Sequence, residues 1–219
     1  MFKRVISVFA VMLGLSAGPA SAVSITTTSD DFTVNWSFFD SVSGVTLLAS
    51  AFFDVVNLGD TFLDLNITLT NTPDLNTPSG YNGGIASIGF ASDPNATSAT
   101  YLATGSKFDG ISFDNIPSLK EVEICSWAGN DCSGGGQPTL LAEGETDTFA
   151  IRLTSLADES TQWALDFFGI KFQSAVGSFE TYGCVGPACV PTQVPEPSSL
   201  ALLGLALFGL GAMRRRISL

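Results

Sequence analysis

Between residues 23 and 180 the chain alternates in twos far more than in threes and fours. In Phe32-Thr33-Val34-Asn35-Trp36-Ser37-Phe38 every second side chain is large and apolar while its neighbour is small or polar, the pattern of a strand that buries one face. Between Thr61 and Thr70, Leu63, Leu65, Ile67 and Leu69 share a face, with Phe62 out of phase. Further strands are predicted over residues 44–56, 84–90, 120–127, 147–153 and 163–173, separated by segments dense in turn residues such as 71–83. Residues 140–147 hold helix formers and acids over too short a span for a helix and read as the approach to the next strand. About seven short strands predict an all-β fold, an antiparallel β-sandwich of jelly-roll or immunoglobulin-like topology.

Two uninterrupted apolar runs stand outside that alternation. At the start, Lys3 and Arg4 precede an apolar stretch from Val5 to Leu15, and Ala20-Ser21-Ala22 forms a small-x-small site. This is the layout of a signal peptide over residues 1–22, with the Sec translocon and signal peptidase as partners and Val23 as the first mature residue. The run is well short of the ~20 residues that span a bilayer. At the other end, Val194-Pro195-Glu196-Pro197-Ser198-Ser199 precedes an apolar stretch from Leu200 to Met213, then Arg214-Arg215-Arg216. The two prolines hold the backbone extended, and Ser198 or Ser199 caps the helix expected over 198–213. Those 16 residues span about 24 Å, less than the ~30 Å hydrocarbon core, so thinning or snorkelling arginines make up the difference. The arginine cluster stays cytoplasmic under the positive-inside bias. The Pro-Glu-Pro segment and everything before it then lie outside that membrane, on the side opposite the arginines.

In these residues the chain resembles the PEP-CTERM proteins of Gram-negative exopolysaccharide producers. The resemblance covers Val194 to Arg216, with Pro-Glu-Pro, apolar helix and arginines in order. It implies that the tail is a sorting signal processed by exosortase, a membrane transpeptidase. The protein is then expected to be exported, held transiently in the inner membrane by its tail, and passed to the cell surface or the extracellular matrix, with exopolysaccharide as a possible partner.

Charge narrows the partners. Lys3, Arg4, Arg214, Arg215, Arg216 and Glu196 lie in the ends, so of 9 basic and 21 acidic residues the segment 23–194 keeps Lys107, Lys120, Arg152 and Lys171 against 20 acids. That excess of acid repels nucleic acid and anionic lipid. Histidine is absent from the sequence, which removes Ser-His-Asp, Cys-His and histidine-metal mechanisms. Paired-carboxylate glycoside hydrolysis needs no histidine, but no acid stands in a distinctive apolar setting, so a small glycosidase ranks below a non-enzymatic surface protein.

The four cysteines, Cys125, Cys132, Cys184 and Cys189, all fall in the exported part. Two disulfides are expected in an oxidising compartment, with three pairings open. Zinc is disfavoured by the spacing. From residue 177 glycines and prolines crowd together, so residues 181–193 read as a linker after a sandwich over 23–180. Carbohydrate binding is the rival function. Trp36 and Trp163, inside predicted strands, are expected in the core; Trp127, between Cys125 and Cys132, is the candidate exposed glycan contact. No cofactor is expected, although Asp30, Asp31, Asp109, Asp114, Asn130 and Asp131 supply oxygen ligands of the kind calcium takes. Asparagine and aspartate turns explain the same residues.

Overall fold

The computed structural model describes residues 22–73, 83–134, 139–156 and 162–186 of the 219-residue chain. The expected signal segment through residue 21 and everything from residue 187, including Cys189 and the helix expected over 198–213, lie outside the described residues.

The described residues form strands β1 (Val23–Ile25), β2 (Phe32–Asp40), β3 (Val45–Gly59), β4 (Phe62–Thr72), β5 (Gly84–Asp93), β6 (Ser98–Ala103), β7 (Phe108–Ser112), β8 (Ile124–Ala128), β9 (Leu141–Ala142), β10 (Thr146–Thr154), β11 (Trp163–Ser174), β12 (Gly177–Tyr182) and β13 (Cys184–Val185). They make two antiparallel sheets. The first runs β13-β2-β3-β4-β10-β6; the second runs β1-β11-β5-β8-β7, with β12 also on β11 and β9 also on β5. The chain crosses between sheets from β4 to β5 and again from β10 to β11, and each strand of the first crossing pairs with its counterpart in the second.

The period-two pattern explains the shared core. Val34 and Trp36 on β2, Ala51 and Phe53 on β3, and Leu65 and Ile67 on β4 point inward with Ile88, Phe90, Phe168 and Ile170 of the second sheet. Phe53 joins the two layers: its ring centroid lies 4.7 Å from that of Phe32, 6.0 Å from Phe90 and 5.6 Å from Phe168. Trp36 and Trp163 are both buried, as their phase requires.

In β11 the alternation changes parity. Leu165 points inward, and so do Phe168 and Ile170, because the ladder to β5 shifts between Asp166 and Gly169. Phe167 absorbs the extra residue at φ 49°, a left-handed conformation unusual for a bulky side chain and typical of a bulge.

A smaller core covers the outer face of the second sheet. Gly89 and Gly169 lie opposite each other in the β5–β11 register. A Cβ on Gly89 would come within 2.5 Å of Val122, and one on Gly169 within 2.8 Å of Leu119 and Val122. The two glycines thus form a flat floor on which Ile116, Leu119, Val122, Cys125 and Cys132 pack. This is why the strand expected over 120–127 begins only at Ile124: the preceding residues fold back over the sheet, with the Val122 amide donating to the Leu119 carbonyl at 3.2 Å.

Paired strands run into the stretch expected as a linker, 181–193. Residues 177–182 form β12 on β11, and Cys184–Val185 form β13 on β2. Gly183 serves close approach to Trp36 and Val34, and the packed structure continues to Gly186.

Candidate functional site

The described chain leaves the sandwich at an edge built from both sheets. β12 belongs to the second sheet and β13 to the first, so the chain changes layer at Gly183. The β11 bulge frees the Phe168 carbonyl from the ladder, and it accepts from the Trp36 indole Nε1 at 3.0 Å and from the Gly183 amide at 2.7 Å. A Cβ on residue 183 would lie 2.5 Å from Trp36 Nε1 and 2.7 Å from Val34, so glycine is required by contact. Cys184 then pairs with Asn35 and Val185 with Val34. The Gly186 amide donates to the Thr33 carbonyl at 2.9 Å. Cys184 is disulfide-bonded; its candidate partner Cys189 lies outside the described residues.

The other expected disulfide is formed between Cys125 and Cys132, which excludes the crossed pairings. It closes the end of the flap that covers Gly89 and Gly169, and the Ser87 hydroxyl donates to the Cys132 carbonyl at 3.2 Å. Trp127 is half-buried here, lying over Gly110 so closely that a Cβ there would sit 2.0 Å from its ring. It packs against the small outer core and is less available than a free loop tip. Tyr101 bridges the sheets nearby, donating to the Gly110 carbonyl at 3.1 Å and sharing a 2.6 Å contact with the Ser126 hydroxyl. Burial, only partly offset by that contact, pushes its phenol up to about 12.

One ion pair fastens the flap. Lys171 and Glu180 face each other across β11 and β12, with side chains 6% and 8% exposed. Glu180 also accepts from the Ser118 amide at 2.6 Å. Burial alone would raise the Glu180 carboxyl; the hydrogen bonds from Lys171 and Ser118 outweigh it and hold the group below its usual 4.5.

The candidate calcium ligands are dispersed. Asp30 caps its own turn, accepting from the Thr26 and Thr27 amides at 2.7 and 2.8 Å. Asp31 accepts from the Val55 amide, Asp114 from Asn115 and Asp131 from Ser133. Asp109 lies in β7, and Asn130 is in an exposed bend. Among the described residues no group of three or more acids or cysteines is arranged to hold a metal. Buried Asp147 is likewise a structural cap, accepting from Ser106, Lys107 and Phe108 amides.

Asp166 differs. Burial, then the charges of Glu123 and Asp93, raise its carboxyl above the usual range.

The most specific functional feature follows the exit edge. The family model for the PEP-CTERM protein-sorting motif matches residues 193–216. The chain carries a PEP-CTERM sorting signal. That signal includes Val194, Pro195, Glu196, Pro197 and the Arg214, Arg215, Arg216 cluster, all outside the described residues. Of the expected signal-peptidase site, Ala20 also lies outside them, Ala22 precedes the first strand, and Val23 opens β1. A PEP-CTERM signal implies an exported, membrane-associated precursor with an exosortase as processing partner. No curated protein matches the chain.

Proposed function

We propose that the chain is a non-enzymatic, exported β-sandwich protein that its PEP-CTERM tail holds transiently in the inner membrane before transfer to the cell surface or exopolysaccharide matrix. Sec and signal peptidase act at the start of the chain and exosortase at its end. The observation that carries this reading is the motif match over residues 193–216, which begins seven positions after Gly186. The helix expected over 198–213 starts 12 positions after Gly186, a reach of at most about 43 Å, so the domain stays tethered near the membrane while the tail is embedded.

Of the two topologies expected, the strand order favours the immunoglobulin-like one. β3-β4-β10-β6 opposite β12-β11-β5 follows the A-B-E-D and G-F-C orders of that architecture. Such a sandwich is a scaffold for presentation and binding as readily as for catalysis, and a sequence without histidine favours the former.

The reading is tested by replacing Pro195 and Pro197 with alanine in the producing cell and following the protein by fractionation and intact mass. The expected result is retention of an unprocessed, membrane-bound form. Unchanged processing and destination would refute the sorting role.

A further inference from the structure

The outer face of the first sheet carries a site that the sorting signal does not explain. Successive residues of a strand point to opposite faces, so the outward positions of β2, β3, β4 and β10 line up in rungs. One rung is Thr33, Phe52, Thr68 and Thr148; the next is Asn35, Ser50, Thr70 and Thr146. Rungs are about 6.8 Å apart and strands about 4.8 Å apart. Thr68 and Thr148 hydroxyls meet at 3.2 Å, and those of Thr70 and Thr146 at 2.9 Å. Each hydroxyl has one donor and two acceptor positions, so a paired threonine still has hydrogen-bonding capacity facing solvent.

Phe52 interrupts this polar face. It is 44% exposed and helps line an open groove of about 510 Å³ with Asp31, Thr33, Asn35, Val185 and Gly186. A lone exposed phenylalanine needs no explanation. Here the ring stands in a groove bordered by the Thr33 hydroxyl, the Asn35 amide, which donates to the Gly186 carbonyl at 3.4 Å and keeps its oxygen for a ligand, and the Asp31 carboxylate, one oxygen of which accepts from the Val55 amide. This is an apolar surface beside a few polar groups, as in small-ligand sites.

We infer that this groove binds a neutral, pyranose-based polysaccharide. The C–H face of a sugar ring stacks on Phe52, and its hydroxyls exchange hydrogen bonds with Asn35, Thr33 and Asp31. Charge selects the neutral class. Lys107, Arg152 and Lys171 are each paired with an acid, Glu145, Asp64 and Glu180, and Lys120 donates to Asn115. No cation stands on the two rungs, and Asp31 and Asp54 border them, so an anionic polymer meets repulsion.

This inference deepens the surface reading, on which it rests only for access to polymer. Binding is measured on purified protein, so its failure leaves sorting intact, and failed sorting leaves binding measurable. The full-length chain in mild detergent is run in native gels containing hydroxyethyl cellulose, galactomannan or anionic alginate. Retardation is expected in a neutral gel and not in alginate. Phe52→Ala should weaken it at least tenfold, and Phe52→Trp should preserve it. Leu102→Ala, at another exposed apolar position on the opposite edge strand β6, should have no effect. Because Phe52 points outward, unchanged circular dichroism is expected for its variants. The inference is overturned if neither neutral polymer retards the protein, if alginate retards it most, or if Phe52→Ala and Leu102→Ala act alike.

Discussion

Lys171 and Glu180 offer the sharpest test of how the flap is held. Replacing Lys171 with methionine keeps the length of the stem but leaves the Glu180 carboxylate, 8% exposed, without its cation. Removing one member of a buried pair costs about 3–5 kcal/mol, whereas replacing both by apolar residues is close to neutral. Lys171→Met should therefore lower the unfolding free energy by about 3–5 kcal/mol, or roughly 6–20 °C in Tm for a domain of this size. The double variant Lys171→Met, Glu180→Leu should recover most of that loss, less the hydrogen bond to the Ser118 amide, worth about 1 kcal/mol. Urea unfolding followed by tryptophan fluorescence measures all three forms. The pH dependence has a definite sign. The folded Glu180 carboxyl is held below 4.5, so its contribution is present above that value and is lost as the pH falls through the lowered one. The gap between wild type and Lys171→Met should accordingly narrow in acid. A loss under about 1 kcal/mol, the range of an exposed pair, or a double variant no better than the single one, would refute the reasoning.

Gly183→Ala should cost about 1–3 kcal/mol through overpacking, because its Cβ would meet Trp36 and Val34; hydrogen exchange should show the Gly186 amide losing protection. Asp166→Asn should raise the unfolding free energy at neutral pH, followed by the urea midpoint, by under about 1 kcal/mol for a half-exposed, screened group. Burial and the charges of Glu123 and Asp93 raise the Asp166 carboxyl above 3.8 in the fold, so the advantage is complete above that raised value and fades as the pH falls toward 3.8.

The long strands were legible because their alternation is strong. Val34 and Trp36, and Leu63 through Leu69, bury one face and expose the other, so both elements and their core residues could be read from period alone. β6 and β7 were not legible: their partly exposed residues lack a consistent apolar phase, and they are held by Tyr101 and by the Asp147 cap rather than by pattern. β12 and β13 were hidden by glycines, since Gly183 signals a loop in sequence but a close contact with Trp36 in space. Trp127 is half-buried over Gly110, a placement that its position between two cysteines does not reveal. Phe52 has a signal in the pattern of β3. Ala49, Ala51, Phe53 and Val55 fix the inward phase of β3, so Phe52 had to point out. The sorting tail was readable because its recognition depends on local sequence order and needs no tertiary contact.

The pairing of β13 with β2 also determines how the domain bears a pull. A load applied at Gly186 along the strand shears the β13–β2 hydrogen bonds together, instead of peeling them one at a time. The next point of resistance is Gly183, whose amide and the Trp36 indole share the Phe168 carbonyl, so tension entering the first sheet passes directly to the bulge of the second. The described domain therefore meets a pull at Gly186 as one mechanical unit, straining both layers before either edge comes away.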